Sequence, residues 1–334
     1  MKKLFSLLAM LTAIVLTAGA QSMQVATLSH DGTITSYTSA DALRQAYDAA
    51  VDGDVITLSS GVFNSVNLEK RITVRGAGMG IKVNDTDPYV EPTIIKGVYK
   101  IKVPGDGNNS LKMESVICLN RVEVLSITNA HLLKCYFYDF DGQVNETDPL
   151  GYANVTIINS VFKNFDLPYR DLTFNLYGCH IKDLGVGSSD NRLVNYTNCI
   201  IESYSTSNMP ISDSVLKNSL IIYHGPHSWY GLGTAYNTVI VGNLEHRGDF
   251  YESIEENNNT LLPTGTQLFK EGTFYQLNDE GKKYLGSDGT EVGIYGGSLP
   301  FDPTPTNPQI TKFNVAPKTT ADGKLSIDIE VNAK

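Results

Sequence analysis

One short stretch concentrates the side chains best suited to holding a ligand. Tyr223, His224, His227, Trp229 and Tyr230 fall within eight positions and include the chain's single tryptophan. Aromatic rings of this kind bind sugars through their apolar faces while their polar tips hydrogen bond. The same five residues could instead cover the flank of a folded domain, since tryptophan is seldom fully exposed. We take them as candidate carbohydrate-binding residues with both readings open. A second constellation is acidic: Asp139, Asp141, Asp166 and Asp183. Carboxylates about 5 Å apart repel one another unless a cation binds them, a proton is shared, or water screens them. Two expectations follow, a Ca²⁺ site or a solvated acidic edge. The second is favoured, because Ca²⁺ needs about six to eight oxygen ligands.

Other chemistries leave no trace. The chain has no phosphate-binding glycine loop, no HExxH or CxxC metal motif and no serine-nucleophile elbow. No catalytic residue can therefore be named, and no cofactor is expected beyond the Ca²⁺ option. A net charge of −10 argues against nucleic-acid partners. It equally disfavours unaided binding to polyanionic polysaccharide.

The elements that must position these groups come from a repeat. Asn159-Ser160-Val161-Phe162, Gly178-Cys179-His180-Ile181, Asn198-Cys199-Ile200-Ile201, Asn218-Ser219-Leu220-Ile221 and Asn237-Thr238-Val239-Ile240 recur at steps of 19, 20, 20 and 19 residues. Lys134-Cys135-Tyr136-Phe137 precedes them by 25. Two residues before each unit stand Leu132, Ile157, Leu176, Tyr196, Leu216 and Ala235. Alternation at period two marks strands with one buried face. A period near 20 is one coil of a β-solenoid, too short for a propeller blade. Cys135, Cys179 and Cys199 share one repeat position with Ser160, Ser219 and Thr238, a stack of small inward residues. Successive coils lie about 4.8 Å apart, within disulfide reach, but side chains in register point the same way. Buried thiols are the favoured reading and a Cys179–Cys199 bridge the alternative.

The ends have their own signatures. Residues 1–20 read as a signal peptide: Lys2 and Lys3, an apolar run, then Ala18-Gly19-Ala20 ahead of a cleavage point before Gln21. No second apolar run is long enough to span a bilayer. Residues 21–54 are expected to hold a strand and a capping helix whose inner face is Leu43, Ala46, Tyr47 and Ala50. Thr38 or Ser39 is expected to cap that helix. Residues 55–298 are expected to form the solenoid, 299–308 a Pro-rich link, and 309–334 a β-hairpin tail. The tail either packs on the flank or offers a strand to a partner.

The recurring Asn before a small residue resembles the asparagine ladder of right-handed parallel β-helices, the pectate-lyase-like superfamily. The opening stretch Asp41 to Gly78 and the closing run Leu268 to Gly297 resemble that superfamily's usual ends, so the likeness spans roughly residues 25–297. It implies an all-β, right-handed parallel β-helix solenoid with an N-terminal helical cap and a short C-terminal β-hairpin. It also implies asparagine side chains bonded at each turn and to the amide of the next coil. In superfamily lyases, clustered acids hold Ca²⁺ and a Lys or Arg abstracts the sugar proton. Lys163, Arg170 and Lys182 lie near the acids here, but the diagnostic Arg motif is not found. The fold hosts lyases, hydrolases and adhesins alike. The expectation is an exported, non-catalytic protein of the periplasm, cell surface or medium, binding glycan or scaffolding a polysaccharide or surface protein. The alternative is a lyase or hydrolase acting on a uronate-containing polymer.

Overall fold

The computed structural model describes residues 24–103, 109–142, 152–166, 172–184, 192–204, 214–224, 234–242, 257–315 and 323–332. The core is an all-β solenoid whose strands stack in parallel from coil to coil. One stack runs through Tyr136–Gly142, Val161–Asp166, His180–Ile181, Ile200–Ser203, Leu220–Tyr223, Val239–Val241 and Thr260–Leu262. A second stack runs through Tyr152–Ile158, Leu172–Tyr177, Arg192–Thr197, Val215–Lys217 and Thr234–Tyr236. Ile157 lies in register with Leu132 on one side and Leu176 on the other. Leu132, Ile157, Leu176, Tyr196 and Leu216 are all buried, as their period-two spacing requires. Phe137, Phe140, Phe162 and Phe165 fill the interior where they meet, with Phe137 and Phe162 stacked at 5.1 Å.

Each coil passes from the second stack to the first through one tight turn, and its leading residue has left-handed backbone. The φ values are 50° at Asn159, 59° at Gly178, 52° at Asn198, 51° at Asn218 and 48° at Asn237. Asn and Gly visit this region at least cost, which explains the repeat's leading residue. Lys134 sits at the same position with φ 52°. Its ammonium donates to the Thr304 carbonyl at 2.7 Å, a tertiary contact that favours the conformation.

The asparagine side chains do not bond as the resemblance implied. Asn159 Nδ2 donates to the Pro300 carbonyl at 3.1 Å, and Asn218 Oδ1 accepts the Ser287 backbone N–H at 2.9 Å. They face outward, toward the C-terminal chain. The coil-to-coil bond is made by the next residue instead. Ser219 Oγ donates to the Lys217 carbonyl at 2.8 Å and accepts the Cys199 N–H at 3.1 Å. Ser160 does the same for Ile158 and Cys135. The cysteines are all free and buried. Cys179 and Cys199 direct their Sγ–H to the carbonyl two residues back, each at 3.4 Å, like weak hydroxyls. Burial pushes the Cys118 thiol up to about 12 and that of Cys135 well above its ordinary value.

The chain after Leu262 doubles back over the first stack. Leu268, Leu277, Val292, Ile294 and Phe301 bury against Val161, Ile200, Leu220 and Val239 on its outer face. That sheet is thus covered on both sides, the physical reason its strands read as unbroken apolar runs. The Pro-rich run 299–308, expected as a link, is laid along the turns. Asp302 pairs with Lys134 at 3.4 Å, Thr306 Oγ1 donates to Glu114 at 3.1 Å, and Asn307 Nδ2 donates to the Gly76 carbonyl at 2.7 Å. We call residues 263–308 the strap.

At the start of the chain, helix α1 (Ala42–Ala49) packs on the first strands through Leu43, Ala46 and Tyr47. Ser39 Oγ accepts the Asp41 N–H at 3.1 Å, one residue short of the helix, and no side chain caps α1 itself. Gln309–Val315 and Ile327–Asn332 pair antiparallel in a sheet of their own. Ile327, Ile329 and Val331 there are 53%, 51% and 53% exposed. Among the described residues, no helix is long and apolar enough to cross a membrane.

Candidate functional site

The outward column under the strap reads Tyr136, Val161, His180, Ile200, Leu220, Val239. A histidine has replaced an aliphatic residue in a position that strap and sheet both cover. The adjacent outward column reads Glu202, Ile222, Val241. Here a carboxylate takes the aliphatic place. An isolated buried charge is too costly to keep, so such a group must be fully hydrogen bonded.

Glu202, 4% exposed, is bonded through both oxygens. Oε1 lies 2.8 Å from His180 Nε2 and accepts the Tyr275 hydroxyl at 2.5 Å. Oε2 lies 3.0 Å from His224 Nε2 and accepts the Tyr204 hydroxyl at 3.1 Å. Burial alone would raise this carboxyl, but the donors from His180, Tyr275 and His224 outweigh it and hold it at about 2. Glu202 is therefore ionised and can only accept, so both imidazoles carry their proton on Nε2. Burial lowers His180, which stays neutral beside it. Its Nδ1 is buried with no hydrogen-bond partner among the described residues. Burial and the neighbouring carboxylate raise Tyr275, and push Tyr204 up to about 12.

Three coils and the strap converge here. His180, Glu202 and His224 come from successive coils, and Tyr275 comes from the strap, where its φ is 55°. A bulky residue in that region is strained, and strain of this kind gathers at functional sites. The interior half of the cluster is His180, wedged 4.1 Å from the Tyr275 ring. The outer half is a ring pair: Tyr204 and His224 stack at 4.3 Å with planes 9° apart. Tyr204 is 48% exposed and the His224 side chain 37%. The surface thus presents a flat, rigid platform anchored on a buried anion. Asp183 stands nearby, its carboxyl raised by burial.

The five aromatic-stretch residues divide. His224 is part of the platform. Tyr223 is 3% exposed and belongs to the interior cluster, so its ring packs the core. The pleat alternates faces, and Tyr223 precedes His224 by one residue. His227, Trp229 and Tyr230 lie outside the described residues. Among the acids, Asp141 is in register with Asp166, and Asp139 with Asn164. Arg121 pairs with Asp141 and reaches Asp139 at 3.9 Å. Asp183 lies one coil further, its carbonyl accepting the Phe165 N–H at 3.0 Å. Among the described residues, no three His, Cys, Asp or Glu side chains are grouped to hold a metal ion.

Sequence reasoning passed over Glu202, His180, Tyr204 and Tyr275. The usable signal was a charge inside the run Cys199-Ile200-Ile201-Glu202, one coil after a histidine in the matching run Cys179-His180-Ile181. No protein-family model, no curated protein and no solved structure matches this chain.

Proposed function

We propose that this protein is a glycan-binding solenoid whose ligand seats on the Tyr204–His224 platform. The observation that carries the reading is the exposed ring pair, stacked at 4.3 Å and held from beneath by the buried Glu202. Sugar rings bind through flat aromatic faces with a few fixed polar groups, and this pair offers both. The segment that continues from His224 carries His227, Trp229 and Tyr230, which extends the aromatic supply along the chain. In this reading the solenoid is right-handed, α1 caps its first coil, and the protein is exported to the periplasm, cell surface or medium. Its partners there are polysaccharide or a surface protein. A glycan array probed with wild type, Tyr204→Ala and His224→Ala tests the site. Binding lost in both variants supports it, and binding kept in both removes it. Trp229→Ala and Tyr230→Ala test the extension in the same format.

One observation favours a second reading, a lyase or hydrolase. A carboxylate that orients an imidazole is the arrangement a general base requires. Release of unsaturated uronate ends from acidic polysaccharides, lost in His224→Ala, would replace the binding reading with this one.

A further inference from the structure

We infer that His224 sets ligand class at this site, presenting Nδ1 as a fixed hydrogen-bond acceptor to a hydroxyl of an uncharged saccharide. The inference rests on the glycan-binding reading and adds what kind of glycan.

The argument starts at Glu202. An ionised carboxylate has no proton to give, so the 3.0 Å contact to His224 must use an Nε2–H donor. A neutral imidazole with its proton on Nε2 has a lone pair on Nδ1. No described residue bonds Nδ1 of His224, although the ring is held on one side by Glu202 and on one face by Tyr204. The free nitrogen therefore has a set direction and a set role. A sugar hydroxyl can donate to it while the sugar ring lies over the platform.

Charge decides between neutral and acidic sugars. His224 is touched by Glu202 and Tyr204 from the adjacent coil. His180 and Tyr275 bond the same Glu202, Lys182 acts on His180, and Asp183 acts on Tyr204. Among these described groups Lys182 is the cation, and it is opposed by Glu202 and Asp183 on a chain of net charge −10. A ligand carboxylate would meet an acceptor nitrogen backed by a buried anion, repulsive on both counts. A neutral sugar meets no such repulsion.

Two measurements test this on the full-length mature protein. In wild type, ¹⁵N NMR of the His224 ring near neutral pH should show Nε2 protonated and Nδ1 bare. The opposite tautomer overturns the inference. Calorimetric titration then compares cellohexaose, xylohexaose, mannohexaose and laminarihexaose with oligogalacturonate and oligoguluronate. At least one neutral probe should bind at about pH 7.5 and no acidic one should. Glu202→Gln, which frees the ring to take either tautomer, should weaken neutral binding about tenfold, the worth of one hydrogen bond. Acidic probes that bind more tightly than neutral ones overturn the inference while sparing the glycan reading. If no probe binds despite the expected tautomer, the glycan reading fails and this inference fails with it.

Discussion

At the scale of single residues, the molecule shows what it costs to place polar groups in a solenoid. Glu202 is tolerated because four donors converge on it. Its carboxyl is depressed from 4.5 to about 2, so its contribution is present above about pH 4.5 and lost as the pH falls toward 2. That shift corresponds to roughly 3 kcal/mol. His180 acts in the same direction. Its folded value lies below 6.5, so the unfolded chain takes up its proton first and stability declines as the pH drops below that value. We expect Glu202→Gln to melt well below wild type at neutral pH, with the two curves converging in acid. A difference that stays constant from pH 7 to acid would contradict this assignment. An unpaired charge fares worse. Ile157 is fully buried between Leu132 and Leu176. Ile157→Asp should cost roughly 4 kcal/mol in urea denaturation, and a wild-type midpoint would refute the register. The acids beside Arg121 already have a cation, so millimolar Ca²⁺ should leave the melting temperature unchanged. A rise with Ca²⁺ concentration would reinstate the metal site.

Among the elements, the strap is the one whose role differs most from its sequence reading. Prolines at 300, 303, 305 and 308 suggested a link. In fact the run is held at Asn159, Lys134, Glu114 and Gly76, one coil after another. Its closeness to the turns is visible at Gly297, where φ is +74° and a Cβ would stand 2.5 Å from Asn198 Oδ1. Gly297→Ala should lower stability by about 1–3 kcal/mol through strain and partial undocking of the strap. The checking measurement is protease cleavage within residues 263–308, which should accelerate in the variant. Unchanged cleavage and melting would mean the strap tolerates a gap there. Tyr275→Phe removes a bond to a buried carboxylate and should cost about 1.5–3 kcal/mol. It also links strap docking to the platform above.

Across the whole molecule, the tail stands apart from the solenoid's economy. Its two strands pair with each other, and Leu325, Ile327, Ile329 and Val331 remain about half exposed. The buried clusters of the solenoid include none of these four side chains. Deleting 309–334 should therefore leave the main thermal transition unchanged. A truncated protein that aggregates or loses that transition would show the hairpin to be structural cover, since free alternating strands are adhesive edges.

The solenoid was legible in the sequence for a physical reason. Coils repeat in space, so burial, turn backbone and small-residue packing must repeat in the chain every 19 to 20 positions. Leu132 to Leu216 and the recurring asparagine position could be read from spacing alone, whereas the left-handed backbone there is a finding of the structure. The strap and the site were not legible, because neither repeats. Asn159 has the same spacing whether its amide faces a neighbouring coil or Pro300, and only the returning chain decided that. Glu202 is 22 residues from His180, 22 from His224 and 73 from Tyr275, and no local pattern joins them. Their meeting depends on coil register and on where the strap lays Tyr275. Those are tertiary facts, set by which faces the chain must cover once the solenoid has formed.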